Sequence, residues 1–363
     1  MLAPGSSFTR RLLGWYDRAR RSLPWRVEGD LRTFPDPYLV LISETMLQQT
    51  QVSTVIPYFE RFLLQFPNLK ALAEADEQQA LRSWQGLGYY SRARNLQAAA
   101  RVIVRDHGGR IPESADVLQT LPGIGRYTAG AIASIAFGKR APILDGNVQR
   151  VLCRLDLIQA DPRDAKTRGE LWKRAEEILP RKRIGDFNSA LMELGALVCT
   201  PRNPQCLLCP VRGHCQAFAA GLQEKIPAPR ATKQTPLVLR RTYCIRRGNR
   251  WLIEQRPPTG RWAGMWQFIT VPVTWPSECS AALPLSTTPP KTITTLSHAL
   301  THRRYQFEVF ICDAREDDPF PILPGRQWTT LDGLNQFPLP RPHVKIAETL
   351  REREIKPPGK GNK

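Results

Sequence analysis

Leu121 to Gly130 reads LPGIGRYTAG, and the backbone this stretch demands decides the fold of the N-terminal part of the chain. Pro122 ends any helix running through the preceding ESADVLQT, because it lacks an N–H and clashes with the previous turn. Gly123 and Gly125 permit positive φ and close backbone approach, and Arg126 opens a run of small residues expected to stay helical through Phe137. The stretch reads as a helix-hairpin-helix. Exposed N–H groups at such a turn and at the next helix N-terminus can hold a DNA phosphate without reading sequence. An ordinary tight turn between two helices could carry the same letters, so composition has to weigh in.

Composition favours the phosphate. The 363 residues carry 52 Lys and Arg against 33 Asp and Glu, a formal net charge of +19, and such a field attracts a polyanion. No apolar run approaches the roughly 20 residues of a membrane span, and MLAPGSSFTRRLLGWYDRARRSLPWR lacks the uninterrupted apolar core of a secretory signal. A cytoplasmic, nucleoid-associated protein of bacterial type is expected, although an Arg-rich start also suits an organelle or nuclear protein. Trp15, Tyr16, Leu23 and Trp25 read as the packed edge of a folded helix.

The expected fold is multidomain. From Phe8 to Leu222 apolar residues recur at helical spacing, as with Ala93, Leu96, Ala100, Ile103 and Val104, and turn signals divide the region into many short helices. An all-α helix-hairpin-helix domain is therefore assigned to residues 8–222, and the Pro-rich 223–236 is read as a linker. Beyond it RTYCIRR, RWLIEQR and RRYQFEVFICD switch to period two, and Val344, Ile346, Ala347 and Leu350 return to helical spacing. These imply an α+β domain over 237–354. Residues 276–290 read as a long loop and 355–363 as a disordered basic tail.

Two carboxylates stand out. Glu44 has Val40, Leu41 and Leu47 at i−4, i−3 and i+3, so an acid lies on an apolar helical stripe where desolvation should keep it protonated near neutrality. Asp145, 20 residues past Gly125, precedes an amphipathic helix carrying Val148, Val151, Leu152 and Leu155. There it is a favoured N-cap, and the helix dipole should hold it ionised. Each has a plain structural reading, a buried ion pair for Glu44 and a cap for Asp145. Together, two carboxylates with separated pKa values are what acid-assisted cleavage of a glycosidic bond requires.

Four of the eight cysteines, Cys199, Cys206, Cys209 and Cys215, crowd into CTPRNPQCLLCPVRGHC. One Cys-x2-Cys bracketed by single cysteines suits an iron–sulfur cluster better than the two close pairs usual for Zn²⁺, although Zn²⁺ and free thiols share the spacing. Arg202 and Arg212 on these loops could meet a DNA backbone. Cys153, Cys244, Cys279 and Cys312 are scattered.

Taken in order, LPWR (Leu23 to Arg26), SETMLQQTQV (Ser43 to Val52), GLGYYSRARNL (Gly86 to Leu96), LPGIGRYTAG, LDGNV (Leu144 to Val148) and Cys-x6-Cys-x2-Cys-x5-Cys resemble the endonuclease III superfamily of helix-hairpin-helix DNA glycosylases. Within it they are most similar to the MutY-type adenine DNA glycosylases, which remove adenine mispaired with 8-oxoguanine in base excision repair. The resemblance implies a [4Fe–4S] cluster on Cys199, Cys206, Cys209 and Cys215. It implies that Glu44 protonates adenine at N7 and guides the water, that Asp145 stabilises or traps the oxocarbenium sugar, and that Tyr127 and Asn147 orient the two acids. It places Gln49 and Tyr89 in the duplex beside the expelled base, Leu87 among the residues that bind DNA or substrate, and Gly123 and Gly125 on a phosphate. The base must be flipped because its glycosidic bond is unreachable in the stack.

Residues 237–354 are similar to the Nudix-like domain of the same family: GRWAGMWQF (Gly260 to Phe268) matches its start, and Leu300, Thr301 and His302 fall where the family carries Phe-Ser-His to sense 8-oxoguanine. Losing the aromatic removes a stacking surface, whereas Thr301 can still donate a hydrogen bond. No Arg-Glu…Glu-Glu box follows QFITVPVTW, so this domain is expected to bind and not to hydrolyse a nucleotide. The implied partner is double-stranded DNA with an A:8-oxoguanine or A:G mispair, bound by a monomer. Two rivals remain: an endonuclease III-like glycosylase/AP lyase, which would need a Lys where Tyr127 stands, and a non-catalytic DNA-binding iron–sulfur protein.

Overall fold

The computed structural model describes residues 7–26, 33–228, 235–273, 286–315 and 324–355. The described helices are α1 (Ser7–Ala19), α2 (Pro37–Leu47), α3 (Val52–Gln65), α4 (Leu69–Glu74), α5 (Glu77–Ser83), α6 (Ser91–Asp106), α7 (Ala115–Gln119), α8 (Arg126–Phe137), α9 (Gly146–Leu155), α10 (Ala165–Glu177), α11 (Ile184–Leu197), α12 (Gln216–Ala219) and α13 (Arg341–Ile355). The strands are β1 (Leu237–Arg247), β2 (Arg250–Gln255), β3 (Trp266–Pro272), β4 (Lys291–Leu300), β5 (Arg303–Asp313) and β6 (Arg326–Thr329). They form two compact units, Met1–Glu74 with Arg94–Ala231, and Ala75–Ala93 with Thr232–Lys363. The boundary between the units falls at Ala231, inside the expected linker, and the first unit differs from the expected 8–222 domain in that the α5 segment, Ala75–Ala93, groups with the C-terminal unit. Gln78 explains why: its side chain donates to Gly264 O at 3.1 Å and accepts from Trp266 Nε1 at 3.1 Å. Much of the expected linker (229–234), part of the expected loop including Cys279 (274–285) and the tail from 356 onward lie outside the described residues.

In the first unit, local chemistry starts each helix that carries the site. Pro37 occupies the first turn of α2, and Asp36 caps it by accepting Tyr38 N–H at 2.8 Å. All of Val40 to Met46 is buried, so α2 is enclosed on every side and Glu44 goes inside with its neighbours. The hairpin helix α8 runs from Arg126 to Phe137, as its letters require. α9 begins where Asp145 Oδ1 accepts Val148 N–H at 2.7 Å. Its apolar face joins Phe8, Leu12, Leu171, Phe187 and Leu191 in one core of α1, α9, α10 and α11.

In the second unit the strand order is β4-β5-β1-β3-β2-β6, with β1 and β5 parallel and the other neighbouring pairs antiparallel. Alternation along β1 sends Cys244 to one face and Tyr243 and Ile245 to the other. The first face packs Phe268, Phe307 and Val309 under Ile346, Ala347 and Leu350 of α13. Among the described residues no helix is long and apolar enough to cross a membrane.

Candidate active site

The hairpin delivers Tyr127 in the first turn of α8. Gly123 sits at φ 73°, and a Cβ there would stand 2.5 Å from Asn95 Cβ, so the turn closes on α6 only because residue 123 is glycine. Gly125 corrects an expectation: at φ −85° and ψ 174° it is extended, not left-handed, and serves as the N-cap of α8 without a side chain. The leading N–H groups of α8, which have no intrahelical acceptor, begin there.

Tyr127 Oη donates to Glu44 Oε2 at 2.6 Å, with Met192 Sδ 3.3 Å from the same hydroxyl. Glu44 is 5% exposed. Burial pushes its carboxyl up to about 7; the Tyr127 hydrogen bond and Arg26 oppose the rise, and the charge on Asp145 adds to it. Burial likewise drives the Tyr127 phenol well above its ordinary value, reinforced by Glu44, so it remains a donor.

Asp145 Oδ2 accepts from Asn147 Nδ2 at 2.9 Å, beside the Oδ1 cap to Val148. Its expected hold in the ionised form is incomplete. Burial raises its pKa and outweighs the lowering by the Val148 and Asn147 donors and by Arg150. Arg150 was not singled out in the sequence, although its spacing of three from Asn147 on α9 was there to be read. Its Nη2 donates to Asn147 Oδ1 at 2.9 Å and to Gly195 O at 2.7 Å, and its Nε donates to Cys199 O at 2.7 Å. A continuous hydrogen-bonded path therefore joins Asp145 to the first cysteine of the cluster loop.

Glu44, Asp145, Tyr127 and Asn147 line one cavity of about 1080 Å³. The same wall holds Arg26 and Glu193, a pair also missed from sequence. Glu193, almost fully buried, takes Arg26 Nη2 at 2.7 Å and Arg21 Nε at 2.9 Å. Such a pair fixes a charged wall in a dry place, since breaking it would strand a buried carboxylate.

Of the residues expected on the duplex, Gln49 is exposed and Tyr89 is 41% exposed, both in left-handed backbone at φ 59° and 48°. Non-glycine residues tolerate that strain where the surrounding structure imposes it, commonly at functional sites. Leu87 does not fit its expected place: it is 6% exposed, drawn into the interior while its carbonyl accepts from Arg92 Nη2 at 3.3 Å. In the second unit Leu300 is half-buried against the sheet core instead of standing free, whereas Thr301 and His302 are exposed at the β4–β5 turn. Tyr89 Oη and Thr301 Oγ1 are 2.6 Å apart within that unit.

The cysteine loop fits a cluster. Among the described residues no three His, Cys, Asp or Glu are drawn closely enough around a point to hold a single metal ion. The four thiols nevertheless share one electrostatic neighbourhood, with Cys199 and Cys215 each adding to the burial that raises Cys206 and Cys209. The buried Arg154 offers Nη1 to Cys199 Sγ at 3.3 Å, and backbone N–H groups of Ala217 and Phe218 serve Cys215. Four soft donors with N–H groups aimed at sulfur suit an iron–sulfur cluster.

Residues 42–177 match the HhH-GPD superfamily of base excision DNA repair proteins, 199–215 the iron–sulfur binding domain of endonuclease III, and 241–349 a NUDIX domain. The chain is 37% identical to the adenine DNA glycosylase of Rattus norvegicus, over 91% of this chain and 75% of that protein. It is also 37% identical to that of Homo sapiens, over 91% of this chain and 71% of that protein. A thermostable thymine-DNA glycosylase structure superposes on 59% of this chain and 95% of its own, at 29% identity and a TM-score of 0.51. With its four-cysteine loop built for a [4Fe–4S] cluster, the chain is a DNA N-glycosylase, and it belongs to the adenine DNA glycosylase family.

Proposed function

We propose that this protein hydrolyses the N-glycosidic bond of adenine mispaired with 8-oxoguanine, or with guanine, in double-stranded DNA, and that it stops at the abasic site. The observation that carries this reading is the Tyr127–Glu44 hydrogen bond in a cavity that also holds Asp145. A carboxyl near pKa 7 has a proton to give to an adenine ring nitrogen, and protonation makes the base a better leaving group. As the bond breaks, positive charge grows on the sugar, and the Asp145 carboxylate, held by Asn147 and the α9 N-terminus, is the group to stabilise it. Glu44, having given up its proton, can then take one from the attacking water. When bound, the cluster fastens the 199–215 loop at four points through iron–thiolate bonds, and no step of the cleavage is assigned to it.

Tyr127 also supports the monofunctional outcome. A lyase needs an amine to form an imine with the sugar, and a phenol cannot form one. Lys139 lies beyond the C-terminus of α8 and is ion-paired with Glu113 at 2.7 Å. The test is a gel assay on a duplex with adenine opposite 8-oxoguanine. Wild type should produce an alkali-labile abasic site and Glu44→Gln none. Efficient borohydride trapping of a covalent enzyme–DNA adduct would refute the reading.

A further inference from the structure

Gln49, the residue expected to enter the duplex, stands on a turn that its own chemistry does not favour. Thr50 N–H donates to Leu47 O at 3.3 Å, with Gln48 at φ −58° and ψ 107° and Gln49 at φ 59°. These are close to the angles of a type II turn, whose third residue is ordinarily glycine or asparagine because φ is positive there. A glutamine in that place is strained and would relax to a commoner turn unless its surroundings impose the conformation. The turn also lies at the site. Leu47 and Thr50, its first and last residues, line the cavity of Glu44 and Asp145, while Gln49 between them is exposed.

A tie runs from this turn to the hairpin helix. Gln48 Nε2 donates to Thr128 Oγ1 at 3.1 Å, and Thr128, 3% exposed, follows directly on Tyr127 in α8. Gln48 in turn lies about one helical turn beyond Glu44. The α2 segment and α8 are therefore joined by Glu44 with Tyr127 and again by Gln48 with Thr128, and the second bond fastens the residue that precedes Gln49. Because Thr128 is buried, that bond acts on the turn from behind, away from any bound DNA.

We propose that Thr128 and Gln48 are positioning residues for base extrusion: their bond braces the 47–50 turn against α8 and holds Gln49 in the left-handed, projecting conformation in which it can fill the space of the expelled adenine. This rests on the adenine glycosylase reading and ties the residue that displaces the base to the helix that carries Tyr127. The test uses full-length protein at saturating concentration on two duplexes with adenine opposite 8-oxoguanine. One is cleavable, for single-turnover excision; the other carries uncleavable 2′-fluoro-2′-deoxyadenosine next to a 2-aminopurine, whose fluorescence rises when its neighbour leaves the stack. Thr128→Val, close in shape but without the acceptor, should diminish the rise and slow excision by about ten-fold. Thr128→Ser, which keeps the hydroxyl, should restore both, and Gln48→Met removes the same bond from the other side if the valine variant folds poorly. The decisive comparison is with Gln49→Ala: if the bond acts through Gln49, the variant carrying both Thr128→Val and Gln49→Ala is no slower than Gln49→Ala alone. Losses that multiply would overturn the proposal, as would wild-type fluorescence and rate in Thr128→Val. So would a displaced alkaline limb near pH 7 in Thr128→Val, since it would trace the loss to the neighbouring Tyr127–Glu44 bond. Adenine release by wild type is scored separately, so failure of the underlying reading is told apart from failure of the positioning role.

Discussion

Tyr127 Oη and Glu44 Oε2 meet at 2.6 Å across two helices, and that bond tempers the rise in pKa that burial imposes on the carboxyl. It lowers the Glu44 pKa against a larger rise from burial, leaving it at about 7. Single-turnover adenine release should therefore fall as pH rises past about 7, as Glu44 loses its proton. Tyr127→Phe removes the lowering contribution, so its alkaline limb should lie at higher pH than wild type. A limb that stays in place or moves to lower pH in that variant would refute this account.

The same carboxyl affects stability. Its folded pKa of about 7 lies above the ordinary 4.5, so the folded state holds the extra proton in that interval. Glu44 is then best tolerated below about pH 4.5, and its contribution is lost as pH rises to about 7, at a cost of roughly 3 kcal/mol. Glu44→Gln, which does not titrate, should gain stability over wild type at pH 8 relative to pH 4. Urea melts at the two pH values give the difference, and a gap independent of pH would contradict the burial argument.

Arg150 and Gly195 predict loss of activity by displacement. Arg150 supports Asn147, and a Cβ on Gly195 would stand 2.6 Å from Asn147 Cβ and 3.0 Å from its carbonyl oxygen. Arg150→Ala and Gly195→Ala should each misplace Asp145 and slow excision by about 10- to 100-fold. Binding to an abasic-site duplex should change little. Wild-type excision rates in both variants would show that Asp145 is positioned by its own cap alone.

The hairpin predicts a binding defect. Gly123→Ala combines a strained φ of 73° with collision against Asn95, a strain of roughly 1 to 3 kcal/mol. The variant should bind duplex DNA more weakly while keeping its excision rate at saturating enzyme, as expected when uniform binding is lost. Titration followed by single-turnover kinetics separates the two quantities.

At the β4–β5 turn, Leu300→Phe should raise the preference for adenine opposite 8-oxoguanine over adenine opposite guanine, by adding an aromatic stacking surface. The gain should be modest, because position 300 is half-buried against the sheet core. His302→Ala should weaken both mispairs, and single-turnover excision on each gives the ratio.

The sequence by itself determined the features that depend on near neighbours. Pro122 and Gly123 dictate the turn, Arg126 to Phe137 the helix, and Asp145 the start of α9, because caps, φ limits and periodicity act within a few residues. Glu44 on an apolar stripe already implied a desolvated acid, and the cysteine spacing implied a soft-metal loop. Only the tertiary structure decided what distance in the chain conceals. It brought Arg150 between Asn147 and Cys199, buried Leu87, and let burial outweigh the helix dipole at Asp145. It also grouped residues 75–93 with the C-terminal unit through Gln78. Desolvation and long-range hydrogen bonds are sums over everything that surrounds a group, and those surroundings exist only once helices far apart in sequence have packed.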